Sequence, residues 1–353
     1  MKVLVIGAGA IGACVALRLA EAGALVTVVS REEPLDTLSA HSFGWANAID
    51  EKNTDYYNLS IEALAAQERL VADVAAPERW LFGQGNLHWG RDEASAAAQR
   101  AIADGYRELG YPVEEMTPEQ VVRDLEPGLA LENVTGPVYF YPRDVHVLGD
   151  VLLPAVLDKA RAAGVEVRVG ERIESLDAVR GDADVVVCCA GRGNAGLLPD
   201  LPLLPPGAPE RLTRGLLVRT TPVSAPVTRI VHAPGLSIRP HTGRRLVLHC
   251  HDLDHALTES DDGEALARQV IARLPEVLPG ATDAEVENVF VGVRPVPRDG
   301  MPIVGPVPGR DGVYVIATHS GLTLAPLLGE IAARELLGDP DPLAEPFRLT
   351  RFA

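Results

Sequence analysis

Cysteine is scarce in this chain. Cys14, Cys188, Cys189 and Cys250 are the only four, and no two of them form a CxxC pair. Cys14, Cys188 and Cys189 fall in apolar helix or strand patterns, where a thiol behaves as a small hydrophobe. Reduced structural cysteines are therefore expected, not a disulfide framework. Positive charge is also short: 32 Lys and Arg stand against 49 Asp and Glu, a formal net charge of −17. A phosphate backbone would be repelled, which excludes nucleic acid as an expected partner. No apolar run reaches membrane-spanning length. MKVLVIGAGA runs straight into a strand and a glycine turn, without a basic segment and an apolar leader before it. A cytoplasmic protein with no membrane span is the expectation. There are no short-period repeats and no low-complexity segments. Ligand-rich sequence is nearly confined to HCHDLDH (249–255). Continued strand alternation there would split the side chains between two faces, so no metal site is expected.

What remains is ordinary for a globular protein, at 47% hydrophobic and 23% charged residues. Its 353 residues suffice for two domains or one large one. The chain opens as strand, turn, helix, strand: KVLVIG, GAGAIG, ACVALRLAEAG, ALVTVVS. Gly7, Gly9 and Gly12 make GxGxxG directly between a strand and a helix, and Ala10 and Ile11 lie within it. Such a turn lets backbone approach a pyrophosphate, which the helix N-terminus then faces with unpaired N–H groups. The second strand normally ends in Asp or Glu, to bind ribose hydroxyls. Here that place holds Ser30, followed by Arg31. Ser and Arg suit a 2′-phosphate, so an NADP-dependent dehydrogenase is one reading. A ribose contact weakened by roughly 1–3 kcal/mol, in a site for a different dinucleotide, is another.

Helical patterns follow at 55–74 and 93–109, with a short strand at NLHWG between them. In TPEQVVRDLEPGL, Thr117 is an N-cap, Pro118 the first helical residue and Glu119 a first-turn acid. VYFYP reads as a strand. A second α/β passage begins near Gly149: a helix, a strand pair in VEVRVGERIESL, and the buried strand DVVVCCAG. From about 202 to 290 the chain turns Pro-rich and strand-rich, interrupted by the helix GEALARQVIARLP. It returns to α/β with VYVIATHSG and LTLAPLLGEIAARELLG. The expected fold is α/β. A Rossmann-like nucleotide domain is assembled from 1–50, 145–205 and 291–353. An antiparallel-sheet substrate domain is built from 51–144 and 206–290.

Four stretches decide between the cofactors by resemblance: GAGAIG; GERIESL with DVVVCCAG; VGVRPVPRDGMPIVG (291–305); and THSGLTLAP (318–326). In order and spacing the chain resembles the D-amino acid oxidase, glycine oxidase and sarcosine oxidase family of flavoenzymes over nearly its whole length. The resemblance implies FAD. It places Ile173, Ala190 and Gly191 on the adenine side, and Ser320, Gly321, Leu322 and Thr323 at the flavin ring. N–H groups opening a helix there suit the negative charge that a reduced flavin gathers. Arg294, in Gly-x-Arg-Pro, corresponds to the arginine that holds the substrate carboxylate beside the flavin, a task suited to a planar guanidinium. His319 falls next to the ring and is a candidate catalytic residue. His41 and Ser42 lie in the flavin-side loop SAHSFGWANA, and some relatives attach flavin through a histidine in this region.

The chain departs from the family where a carboxylate-binding tyrosine is often found. Ser237 stands near that place, and Arg239 follows, either meeting a second acidic group or sitting in solvent. The implied reaction is oxidation of a carbon–nitrogen bond in an amino acid or secondary amine. Oxygen or another acceptor reoxidises the flavin. A flavin-binding subunit inactive alone is a further reading, and a homo-oligomer is compatible with the sequence.

Overall fold

The computed structural model describes residues 1–48, 53–179, 181–208, 213–257 and 263–353. The expected boundary at 50 and 51 lies outside them. Three sheets organise the chain. The first has six strands, in the order Ile303–Pro306, Val313–Ala317, Val185–Cys188, β1 (Lys2–Ile6), β2 (Leu25–Ser30) and Glu166–Val169. Its last five strands are mutually parallel, and Ile303–Pro306 pairs antiparallel at the edge. The sheet thus draws on three separated stretches of sequence. Its central strands read as continuous apolar runs because both faces are covered. Helix α1 (Ala10–Glu21) packs against the helix Gly321–Leu336, where Gly329 admits the closest approach. A Cβ on Gly329 would stand 2.8 Å from the Cys14 backbone.

The second sheet has eight strands. Its order is Val286–Val293, Arg214–Thr220, Leu246–His249, Leu236–Pro240, Ile230–Ala233, Asn86–His88, Val138–Tyr141 and Glu114–Met116. All neighbours are antiparallel except Ile230–Ala233 with Asn86–His88. A small third sheet joins Trp45–Ala46, Val145–Val147 and Leu81–Phe82. Helix α2 (Thr54–Asp73) is capped by the Asn53 side chain, which accepts from Tyr56 N at 2.8 Å. Thr117 caps the helix Pro118–Asp124 through a reciprocal bond with Gln120.

Two local expectations fail. VEVRVGERIESL yields one strand, Glu166–Val169, and not a pair. That strand is the sheet's edge, and the exposed Glu171, Arg172 and Glu174 beyond it are better solvated than paired. HCHDLDH does not continue as a strand. The ladder stops at His249, and His251–Asp254 is a helical turn. His249, His251 and Asp254 therefore converge, with their polar atoms all within 4.8 Å of one another. Both Asp254 oxygens are already engaged, by Leu216 N, His249 and Arg294. A guanidinium beside that carboxylate repels a metal cation, so the cluster is read as a hydrogen-bonded network.

Candidate active site

A cavity of about 1270 Å³ runs along the C-terminal ends of the parallel strands to the face of the second sheet. It exceeds the roughly 300–1,000 Å³ of ordinary small-molecule sites, which fits a dinucleotide together with a substrate.

At one end the wall is backbone. Gly7 has φ +109°, and its N–H donates to Val29 O at 2.8 Å. A Cβ there would stand 2.5 Å from the Cys189 carbonyl oxygen. Gly9 begins α1 without a side-chain cap, while Ala10 N donates to Ser39 Oγ at 3.1 Å. Gly7, Gly9, Ala10 and Ile11 line the cavity. Gly12 does not. A Cβ on it would lie 1.9 Å from Gly7 O, so it keeps the helix tight on the turn. Ser30, Arg31, Ile173, Ala190 and Gly191 complete this end. Buried Asn194 braces it, with Oδ1 accepting from Ala190 N at 3.0 Å and Nδ2 donating to Ile316 O at 3.0 Å. The Ser30 hydroxyl donates to Glu32 O at 2.8 Å, and exposed Arg31 pairs with the Glu32 carboxylate. Glu32, which sequence reasoning passed over, also lines the cavity.

The middle of the cavity is formed by the start of the helix Gly321–Leu336. Ser320 occupies its N-cap without a side-chain cap bond. Its first N–H groups have no partner within the helix, and Ser320, Gly321, Leu322 and Thr323 line the cavity with His319. Tyr56 OH lies 2.7 Å from Ser320 Oγ. Fully buried Gln67 donates to Leu322 O at 2.7 Å and Thr323 O at 3.2 Å, so α2 fixes the helix start. Facing it is the loop of His41, Ser42, Phe43 and Trp45. His41 stacks on Phe290 at 4.1 Å, and burial, aided by Arg219, lowers its pKa. Trp45 Nε1 donates to Asp144 Oδ2 at 2.7 Å. Asp144 is fully buried and also accepts from Tyr111 OH at 2.6 Å and Asn86 Nδ2 at 3.1 Å. Burial nevertheless pushes its carboxyl up to about 6. Gln67 and Asp144 were missed because each reads as an ordinary polar residue in its own segment.

The far end is built from side chains. Arg294 Nη2 donates to Arg214 O at 2.7 Å and approaches Asp254 Oδ2 at 3.4 Å. Its Nε is buried without a partner, and burial lowers its pKa. Asp254 is buried completely; its Oδ1 accepts from Leu216 N at 2.8 Å, and His249 Nε2 lies 2.9 Å from Oδ2. His232, His249 and His251 line the wall. Burial pushes His251 down to about 4 and His232 well below the ordinary imidazole range.

Ser237 and Arg239 stand off the cavity wall. They lie on a strand inside the second sheet, where both are buried. Ser237 Oγ is 2.7 Å from His232 Nδ1, so it holds an imidazole that does reach the cavity. Arg239 donates to Pro240 O at 3.0 Å; burial lowers its pKa to about 10, opposed by nearby Asp150. It is neither a solvent residue nor a cavity residue.

Residues 2–335 match the family model described as DAO, FAD dependent oxidoreductase. The chain is 28% identical to a glycine oxidase of Pseudomonas aeruginosa, with 99% of each chain covered. It is 29% identical to a bifunctional tRNA 5-methylaminomethyl-2-thiouridine biosynthesis protein of Thiobacillus denitrificans, spanning 97% of this chain and 57% of that protein. The crystal structure of glycine oxidase from Geobacillus kaustophilus superposes with a TM-score of 0.84 at 22% identity, covering 99% of both chains. Among the described residues no helix is long and apolar enough to cross a membrane. The NADP reading of Ser30 and Arg31 is overturned, since the matching family uses FAD and Arg31 is occupied by Glu32. The chain belongs to the DAO family of FAD-dependent oxidoreductases.

Proposed function

We propose that this flavoprotein oxidises the carbon–nitrogen bond of an amino acid or related secondary amine bearing a carboxylate. The carrying observation is the partly buried Arg294 guanidinium, which shares one cavity with the opening turn of the helix Gly321–Leu336. Bound FAD supplies the two-electron acceptor for the hydride that leaves the substrate carbon. Gly7, Gly9, Ala10, Ile11, Ser30, Ile173, Ala190 and Gly191 would hold its nucleotide half. Ser320, Gly321, Leu322 and Thr323 would hold the ring, with His319, His41 and Ser42 around it. The first-turn N–H groups would meet negative charge on the bound cofactor without reorganising, because Gln67 and Tyr56 already fix the turn.

Arg294 holds the carboxylate and so orients the reacting carbon. Phe43, Trp45 and Phe290 form an apolar wall that keeps water from the reacting centre. The imine leaves and hydrolyses in solvent, and oxygen or another acceptor restores the oxidised enzyme. The glycine oxidase relatives support this substrate class. Four free, buried cysteines support a reducing, cytoplasmic setting. The test compares glycine with methylamine and alanine with ethylamine. Amines lacking the carboxylate should react at least about 100-fold more slowly, from the lost charge-assisted contact. Equal rates with and without the carboxylate contradict the proposal.

A further inference from the structure

Amino acids reach an active site at neutral pH mainly as ammonium ions, and a hydride leaves carbon readily only when the nitrogen has its lone pair. One proton must therefore be lost before the hydride leaves, and a base beside Arg294 would remove it from the bound ammonium. Several imidazoles reach the cavity. His41 is stacked on Phe290. His319 sits at the ring end, edge-on to Tyr56 at 6.5 Å. His232 spends Nδ1 on Ser237, and its Nε2 is buried. His251 makes no hydrogen bond to a carboxylate among the described residues. His249 differs. Its Nε2 is 2.9 Å from Asp254, a carboxylate with no exposed side-chain surface. With Nε2–H donated to Asp254, the lone pair falls on Nδ1 of a residue that lines the cavity. The same Asp254 oxygen lies 3.4 Å from Arg294 Nη2, so one carboxylate joins the imidazole to the carboxylate clamp. Arg294 and His249 line the same cavity, and the amine nitrogen of an amino acid is two bonds from the carboxyl carbon that Arg294 would hold.

We propose that the Asp254–His249 pair is the proton acceptor for the substrate ammonium, a catalytic role for His249 that rests on the amine-oxidising reading above. The N–H bond breaks, its electron pair stays on nitrogen, and the proton forms a new bond to His249 Nδ1. Asp254 stabilises the imidazolium and orients the ring, as a buried carboxylate does for a general base. The proton passes to solvent after the product leaves. The groups facing His249 are Asp254 and His251 from the following turn, Arg294 beyond Val286–Val293, and His232 from Ile230–Ala233. Asp252, on the solvent side of the same turn, is paired with Arg273 at 2.6 Å.

The test uses the flavin-loaded protein and anaerobic flavin reduction by glycine, sarcosine, proline and both alanines across pH. For an amino acid that the wild type oxidises, His249→Gln lowers the flavin reduction rate at limiting substrate about 100-fold at neutral pH. The loss shrinks with rising pH, because the acid limb moves to the ammonium's own pKa. Asp252→Asn leaves the profile unchanged. His249→Ala recovers rate with added imidazole, a readout that separates lost chemistry from lost structure. An unchanged acid limb in His249→Gln, or no imidazole rescue, overturns the pair while leaving the amine-oxidising reading intact. A wild type that none of these amino acids reduces overturns that reading, and the pair falls with it.

Discussion

The two ends of the cavity are built in different ways. At the nucleotide end the wall is main chain: a glycine at φ +109°, a helix start without a side-chain cap, and strand ends tied by Asn194. At the other end, where we propose that substrate binds, it is side chain: a guanidinium, a buried carboxylate and three imidazoles from 232, 249–254 and 294. Backbone cradles bind a cofactor shape that many enzymes share, whereas side-chain constellations choose one substrate. The same protein thus meets a common demand with geometry and a particular demand with chemistry.

The sharpest way to break this contrast is at Arg294. Arg294→Ala should lower kcat/KM for a carboxylate substrate about 1,000-fold, roughly 4 kcal/mol of lost transition-state binding, with flavin content unchanged. Steady-state kinetics beside a visible spectrum checks both halves. Gly7→Ala should do the reverse. The added Cβ meets the Cys189 carbonyl in a backbone conformation that L side chains rarely adopt. About 2–3 kcal/mol of strain should appear as lost flavin and a lowered Tm.

Asp144 probes the support between the ends. Asp144→Asn replaces an acceptor of three hydrogen bonds by a group that must also donate, and should lower stability by about 2 kcal/mol. The pH dependence has a definite sign. Its carboxyl pKa is raised to about 6 in the folded protein, so the native state holds a proton that the unfolded chain has already released. Stability from this group is full below about 4 and declines as pH rises to about 6. Wild-type Tm should therefore fall over that window, while that of Asp144→Asn carries no such step. The smallest effect is expected at Ser30. Ser30→Glu restores a charged ribose acceptor and should tighten FAD binding by about tenfold, roughly 1.4 kcal/mol, read from flavin fluorescence on titration.

Legibility in the sequence follows the same division. Gly7, Gly9 and Gly12 announce their role because the turn's steric demands fall within six consecutive residues. The parallel strands are legible as apolar runs, and Thr117 and Pro118 as a helix start. The substrate end is hidden because it exists only after folding. His249 and Asp254 meet because the ladder ends at His249, a stop that alternation alone does not predict. Leu216 arrives on the strand Arg214–Thr220, and Arg294 directly after its neighbour Val286–Val293. Resemblance puts Ser237 near the place of a family tyrosine with Arg239 after it, but both are buried inside the second sheet and off the cavity wall. Gln67 is invisible for a related reason: its partners, the carbonyls of Leu322 and Thr323, lie more than 250 residues away.

The central claim is that one cavity carries FAD at its backbone end and an amino-acid or amine substrate at its side-chain end. The most direct measurement is the visible spectrum of the purified, FAD-loaded protein under anaerobic titration with amino acids and sarcosine. A flavin band should bleach with at least one carboxylate-bearing amine and return on admitting oxygen or an added acceptor. A flavin band that no such amine bleaches, or a protein that FAD cannot reconstitute, would contradict it.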